Sequence, residues 1–329
     1  MPLPLSQQTV VVTGASSGIG RETAVHFGRR GAAVVLAARN ERALEDARTE
    51  VETAGGRSEA VRTDVAEWDQ VEALAARAVE RFGGLHTWVN AAAVTEYALV
   101  EDTTAEEMER LIGVDLLGQM YGAKAALLHM KRQRDGTIVN VSSVVGRQPV
   151  PLQSAYCTAK AGIIAFSAVL RMELEHEGSG VSVTTLLPPT VNTPLYDHAR
   201  SKLGVKPRPP PPVYDPAAVA ESIVFAAEHP RREIVVGGAA KGLTMLAALA
   251  PSLAERLLVL GGGGFRSQQT DVPDDGVDTL FDASSDAQAA RGSFADPGFR
   301  RSLYTRVFEH HPNIRRAALS GAVAAILRR

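Results

Sequence analysis

From its first residues to about position 236 the chain alternates short β-branched runs with amphipathic stretches, and this alternation constrains the fold more than any other feature. Val10-Val11-Val12 stops at Thr13-Gly14, and a helical pattern follows from Ile19 to Arg30, ending at Gly31. Ala33 to Ala37 is a second apolar run, followed by the helical ERALEDARTEVETAGG. The pattern continues with a strand from Ala60 to Asp64, a helix from about Asp69 to Phe82, a strand from His86 to Asn90 and a long helix from about Ala105 to Arg132. Next come a strand from Thr137 to Val141, a helix through SAYCTAK at 154–160, a strand from Val181 to Leu186, a helix from Pro216 to Glu228 and a strand from Glu233 to Val236. Apolar strands separated by helices predict a parallel sheet, because parallel neighbours need crossover connections that cover both faces. The expected fold class is α/β, a doubly wound parallel sheet in three layers, over residues 1–240. Residues 241–329 form a C-terminal extension. A ligand should lie beyond the carboxyl ends of the strands.

The bulk numbers narrow the function classes. With 45% hydrophobic and 22% charged residues and a formal net charge of -2, the chain has a globular composition and no overall attraction for nucleic acid. Cys157 is the one cysteine, which excludes an internal disulfide and suits a reducing, cytoplasmic setting. The eight histidines show no metal-ligand spacing, so no metal is expected. The N-terminus lacks the charged and apolar regions of a signal peptide, and no run reaches the ~18 consecutive apolar residues of a membrane-spanning helix.

Three local features carry chemistry. TGASSGIG at 13–20 places Gly14, Gly18 and Gly20 where a strand turns into a helix. Glycines there let the backbone approach a pyrophosphate, and the amides and dipole of the helix start favour the anion. The second strand ends in Ala37-Ala38-Arg39-Asn40, with no carboxylate to bind an adenosine ribose and with Arg39 able to pair with a 2′-phosphate. That reading is NADP(H). Tyr156 and Lys160 stand four residues apart on a helix, so the ammonium is expected to lower the phenol's pKa towards the range of a useful acid or base.

Taken together, these residues resemble the short-chain dehydrogenase/reductase family over approximately residues 6–240, which implies a Rossmann-type sheet. The resemblance rests on TGASSGIG, on Asp64-Val65, on Tyr156-Cys157-Thr158-Ala159-Lys160, on Ser143 thirteen residues before Tyr156, and on Pro188-Pro189-Thr190-Val191-Asn192-Thr193-Pro194. It implies that Gly14, Ser16, Ser17, Gly18, Ile19, Gly20, Arg39, Asp64, Val65, Asn90, Val191 and Thr193, with Tyr156 and Lys160, bind the cofactor. Ser143 would hold the substrate oxygen, Tyr156 would transfer a proton, and Lys160 would hold the nicotinamide ribose. The substrate would be a small carbonyl compound or alcohol, on an enzyme acting as a homo-oligomer. Three departures stand out: Asn90-Ala91-Ala92-Ala93 in place of N-N-A-G, Pro188-Pro189 in place of P-G, and Asp115 where the family carries asparagine. The resemblance assigns position 115 a role mainly through its backbone carbonyl, while the aspartate would also place a carboxylate near Lys160 that strengthens its charge or competes for it. These departures leave open a cofactor-binding sensor or scaffold without turnover.

The loop from Leu195 to Pro216 is expected to cover the substrate, with Pro209 to Pro212 as a stiff segment and Tyr196, His198 and Tyr214 as candidate contacts. In the extension, Leu243 to Leu249 and Leu253 to Leu260 read as apolar helices separated by Pro251. Residues 271–286 contain six aspartates and no lysine or arginine, the composition of a disordered tether. From Arg300 to Arg329 there are seven arginines and one Glu309, around a short apolar helix that suits either peripheral contact with anionic lipid or packing on a protein surface. An adaptor acting through this extension is the third functional reading.

Overall fold

The computed structural model describes residues 2–260, 263–284, 288–294, 299 and 302–310. In chain order β1 (Thr9–Thr13), α1 (Gly18–Gly28), β2 (Ala33–Ala38), α2 (Glu41–Thr53), β3 (Arg57–Arg62), α3 (Trp68–Phe82) and β4 (Thr87–Asn90) alternate as expected. A short β5 (Glu96–Tyr97) then precedes α4 (Ala105–Ile112), a π-helical turn (Gly113–Leu117), α5 (Gly118–Gln133), β6 (Gly136–Val141), α6 (Ser154–His176) and β7 (Val181–Leu187). The covering loop contains β8 (Arg200–Ser201) and β9 (Val205–Pro207), and is followed by α7 (Pro216–Glu228), β10 (Glu233–Val235), α8 (Gly238–Leu249), α9 (Pro251–Val259), α10 (Gly263–Arg266) and β11 (Gln269–Pro273).

Seven strands form one parallel sheet in the order β10-β7-β6-β4-β1-β2-β3. The order reverses between β1 and β4, where Val12 pairs with Val89 and Thr13 with Asn90. Two crossovers leave in opposite directions at that point and open a crevice at the strand ends. Alternate residues of each strand serve opposite faces. Val10, Val12, Val34 and Leu36 pack with Phe27 of α1, Leu44 of α2 and Val219 and Ile223 of α7. Val11, Val35 and Ala37 pack with Leu74 of α3, Ala126 of α5 and Leu170 of α6. Each large apolar side chain buried in this way contributes about 1.5–3 kcal/mol, so both layers hold the sheet rigid beneath the crevice. The spans Ala105–Gln133 and Ser154–His176 are long and apolar enough to cross a membrane by length and composition alone. In the fold they are covering helices of the sheet.

The structure differs from the sequence reading in two places. The expected long helix is interrupted at Gly113–Leu117, a π-helical turn of the kind often found at functional sites. The acidic stretch is laid on the core over its described residues, 271–284. Within it β11 pairs antiparallel with β9, Asp278 binds Arg200 at 2.8 Å, and Leu280 is 1% exposed. Composition suggested a tether because six like charges repel one another, but the structure provides cations and backbone donors for this stretch. The apolar segment at 317–327 lies outside the described residues.

Candidate active site

The turn after β1 brings backbone, not side chains, to the crevice. Gly14 and Gly18 adopt positive φ of 70° and 55°, which favours glycine. A Cβ on Gly14 would stand 2.7 Å from the backbone of Ala92, and one on Gly20 would collide with the Gly14 carbonyl. Ser17 caps α1 in an extended conformation without a side-chain bond to the helix start, and the Gly18 N–H meets the Ala289 carbonyl of the extension at 3.0 Å. Ser16, Ser17, Gly18, Ile19 and Gly20 line a cavity of about 640 Å³ together with Asp64, Val65, Val191 and Thr193. The residues therefore fit a phosphate-bearing ligand: the cradle exists because no side chain fills it. Asn90 stands one step back from the wall formed by Ala91, Ala92 and Ala93. Its amide donates to the Gln119 carbonyl at 3.0 Å and to Asn140 Oδ1 at 2.9 Å, and its oxygen accepts from Trp88 Nε1 at 2.7 Å. Asn90 ties β4 to β6 and α5 and does not face the cavity.

Across the crevice, β6 ends at Ser142-Ser143 and α6 begins at Ser154. Ser142 Oγ donates to the Lys160 carbonyl at 2.7 Å, fixing the helix to the strand end. Ser143, Tyr156 and Lys160 all line the cavity. Lys160 is 2% exposed, with Nζ 5.2 Å from the Tyr156 ring centre and 3.1 Å from Asp115 Oδ2. The other Asp115 oxygen accepts from the Val94 N–H at 2.8 Å. The π-helical turn thus aims the Asp115 carboxylate at Lys160 and the loop after β4. Of the two expectations for this position, a backbone role and a carboxylate beside Lys160, the contacts show the second. Burial pushes the Asp115 carboxyl up, while Lys160 and the Val94 N–H pull it back.

The expected lowering of the Tyr156 pKa is corrected. Burial pushes the Tyr156 phenol well above the usual range, the Asp115 charge adds to this, and the adjacent Ser143 hydroxyl opposes it. An ammonium already paired with a carboxylate projects little net field onto the phenol. This direction favours the protonated phenol, the form of a proton donor.

Arg39 lies at the opposite end of the cavity. It donates to the Thr279 carbonyl at 2.6 Å and the Phe281 carbonyl at 2.7 Å, both from the extension. Burial lowers its pKa, and the nearby Arg110 charge adds to this. Asp64 accepts from Arg110 at 2.7 Å and from the Ala66 N–H at 3.0 Å. Against the cost of burial, these bonds hold its carboxyl below the usual range.

The extension also supplies part of the cavity wall, which the sequence reading did not anticipate. Gln153 Nε2 donates to Gln268 Oε1 at 2.6 Å, and Gln268 in turn donates to the carbonyls of Pro151 and Gly264. Leu243 of α8 and Leu258 of α9 close the wall beside Val145 and Val150. Of the three loop candidates, Tyr196 and His198 line the cavity, whereas Tyr214 is packed on Phe299 with ring centres 5.4 Å apart. Apolar helices beyond β10 were the only sequence signal for this wall.

The glycine cradle, the Ser-Tyr-Lys cluster and the reversed parallel sheet together define a dinucleotide-dependent oxidoreductase class, and comparison with known proteins identifies the family. A model of the short chain dehydrogenase family matches residues 8–204, and the chain belongs to that family. It is 38% identical over 326 residues to YxnA, an uncharacterized oxidoreductase of Bacillus subtilis, covering 97% of this chain and 90% of that protein. The similarity to YxnA therefore runs through the extension. It is 37% identical over 201 residues to the short-chain reductase protein NovJ of Streptomyces niveus, covering 61% of this chain and 76% of that protein. Among solved structures, a short-chain dehydrogenase/reductase from Burkholderia phymatum in complex with NAD matches with a TM-score of 0.69 at 26% identity, covering 76% of this chain and 96% of that one.

Proposed function

We propose that the protein is an NADP(H)-dependent oxidoreductase that interconverts a ketone or aldehyde with an alcohol on an apolar small molecule. The observation that carries the reading is the convergence of Ser143, Tyr156 and Lys160 with the glycine cradle on one cavity. When bound, the nicotinamide group supplies or accepts the hydride. In reduction the Ser143 hydroxyl donates a hydrogen bond to the substrate oxygen, and Tyr156 gives that oxygen its phenolic proton. Oxidation runs the proton back to Tyr156. The site works by positioning the carbonyl and stabilising developing negative charge on its oxygen. Val145, Val150, Leu243 and Leu258 support an apolar substrate.

Arg39 with Ala38 at the end of β2 supports NADP(H), since no carboxylate stands there. The carbonyls of Thr279 and Phe281 on Arg39 favour a second reading, NAD(H), because two guanidinium donors are already engaged. Charge-assisted bonds to a phosphate are roughly twice as strong as those to neutral acceptors, so a 2′-phosphate can displace these carbonyls. Titrating the protein with NADPH and NADH decides between the readings. NADP(H) use predicts at least tenfold tighter NADPH binding, reduced by about ten- to a hundredfold in an Ala38→Asp/Arg39→Ser double variant. Equal binding of the two would overturn the assignment. A panel of ketones, aldehydes and secondary alcohols followed through cofactor absorbance then identifies the substrate.

Exposed Leu128, Val169 and Met172 on α5 and α6 support a face for a second copy of this chain, which light scattering tests. The single buried cysteine supports a cytoplasmic setting. The basic apolar segment at 315–329 supports peripheral contact with anionic lipid, tested by co-flotation with anionic vesicles.

A further inference from the structure

Two stretches of the extension, 279–284 and 288–294, cross the mouth of the cavity and are tied to both of its banks. On the bank formed by the turns after β1 and β2, the Gly18 N–H donates to the Ala289 carbonyl at 3.0 Å. Arg21 donates to the Gln288 carbonyl and Asn40 to the Ser284 carbonyl, each at 2.6 Å. Arg39 holds the carbonyls of Thr279 and Phe281, and Arg110 that of Leu280 at 3.0 Å. On the opposite bank, Arg291 binds Asp215 through two bonds of 2.8 and 2.9 Å. The Gly292 N–H donates to the Asn192 carbonyl at 3.4 Å, and Asn192 Nδ2 donates to the Phe294 carbonyl at 3.0 Å. The crossing presses so close to this bank that a Cβ on Gly292 would stand 2.7 Å from the Thr193 carbonyl oxygen.

The segment roofs the cavity without filling it. Ser284 and Gln288 line the same space of about 640 Å³ as Gly20, Thr193 and Lys160, so the cavity continues beneath the crossing. On the first bank core donors meet backbone carbonyls of the extension, Arg291 pairs with Glu22 of α1 at 3.5 Å, and among the described residues no carboxylate of the extension is bonded to the helix start. The crossing takes up the Gly18 N–H, while the positive end of the helix dipole still favours an anion beneath it.

We propose that residues 279–284 and 288–294 are a strap that closes over the bound dinucleotide, so that cofactor enters and leaves only when the strap lifts. The inference rests on the cavity being a dinucleotide site. Cofactor release is then limited by breaking the contacts to Asp215, Asn192, Arg21 and Arg39, and the cofactor is shielded from solvent along its pyrophosphate.

The test is stopped-flow release of NADPH, or of NADH if that binds more tightly, from the preformed complex of the full chain, chased with excess oxidised cofactor. Gly292→Val removes the room at Thr193, and Arg291→Gln removes the anchor on Asp215. Each should speed release at least tenfold, the factor that corresponds to about 1.4 kcal/mol. Hydrogen exchange in 279–294 should rise while the sheet strands stay protected, which separates an opened strap from a misfolded chain. If Gly292→Val lowers the melting temperature of the whole protein, Arg291→Gln alone decides. Release within twofold of the parent protein in the folded variants overturns the strap. So does tighter binding with unchanged release, which would mean that the segment competes with the cofactor. If neither dinucleotide binds any form of the protein, the oxidoreductase reading fails and the strap fails with it.

Discussion

The two ends of the cavity are built on opposite principles. At the end proposed for the nicotinamide, Ser143, Tyr156 and Lys160 lie within eighteen positions of one another after β6 and on α6, and Lys160 pairs with the distant Asp115. Charge is buried there and settled between side chains. At the adenosine end, Arg39 is met by backbone carbonyls from 240 and 242 positions away, and the contact depends on chain path, not side-chain chemistry. The first end should therefore fail sharply when one side chain changes. The second should respond to changes in the extension.

The largest effect belongs to the reacting group. Tyr156→Phe should lower turnover by about a hundred- to ten-thousandfold, the range for loss of a positioned acid, while a fluorescence titration shows cofactor binding retained. Substantial residual turnover would assign the proton to another group.

The ion pair beneath it is next. Lys160→Met leaves Asp115 buried and uncompensated, and breaking such a pair costs about 3–5 kcal/mol. The Lys160→Met/Asp115→Asn double variant should recover much of that loss. Denaturant unfolding of the three proteins reads both values, and equal stability of single and double variants would show that the 3.1 Å contact carries no coupling.

Asp115→Asn should have a subtler effect. The aspartate charge raises the Tyr156 pKa and also neutralises Lys160, so its removal lowers that pKa for both reasons. Reduction needs protonated Tyr156 and is lost as pH rises through its pKa. The alkaline limb of the rate profile should therefore move to lower pH by about one unit or more. Superimposed profiles would return position 115 to a backbone role.

The smallest effect lies where β5 and α4 meet the covering loop. Burial, with Glu107 beside it, pushes Glu96 up to about 7, whereas Glu107, despite some burial, is held down to about 2 by Lys202, the Thr104 backbone and Arg200. A raised folded-state pKa contributes stability below the unfolded value near ~4.3 that is lost as pH rises through about 7. Glu96→Gln should therefore raise the melting temperature at pH 8 more than at pH 5. The depressed Glu107 works in the opposite sense, and its contribution is lost as pH falls towards about 2.

The legibility of the sequence follows the same division. Val10-Val11-Val12, TGASSGIG and the Tyr156–Lys160 spacing report structure within a few residues, where helix and strand periods convert sequence distance into geometry. Asp115 was legible as a departure that could bring a carboxylate near Lys160, but whether side chain or backbone faces the lysine was not, because that direction depends on a π-helical turn in one long helix. The seating of 279–284 and 288–294 was not legible: apart from the Arg291–Asp215 pair most of its bonds use carbonyls that every residue has, and six aspartates suggested repulsion.

The sequence alone determined the order of strands and helices, the glycine cradle and the identities of Ser143, Tyr156 and Lys160, since each depends on short-range period and residue type. Only the tertiary structure decided that Lys160 is paired with Asp115, that burial raises the Tyr156 pKa, that Asn90 serves the sheet, and that the extension lies along the cavity. Those outcomes depend on burial and on contacts between distant segments, where the desolvation of a charge or the seating of a carbonyl is set by what the rest of the chain brings alongside.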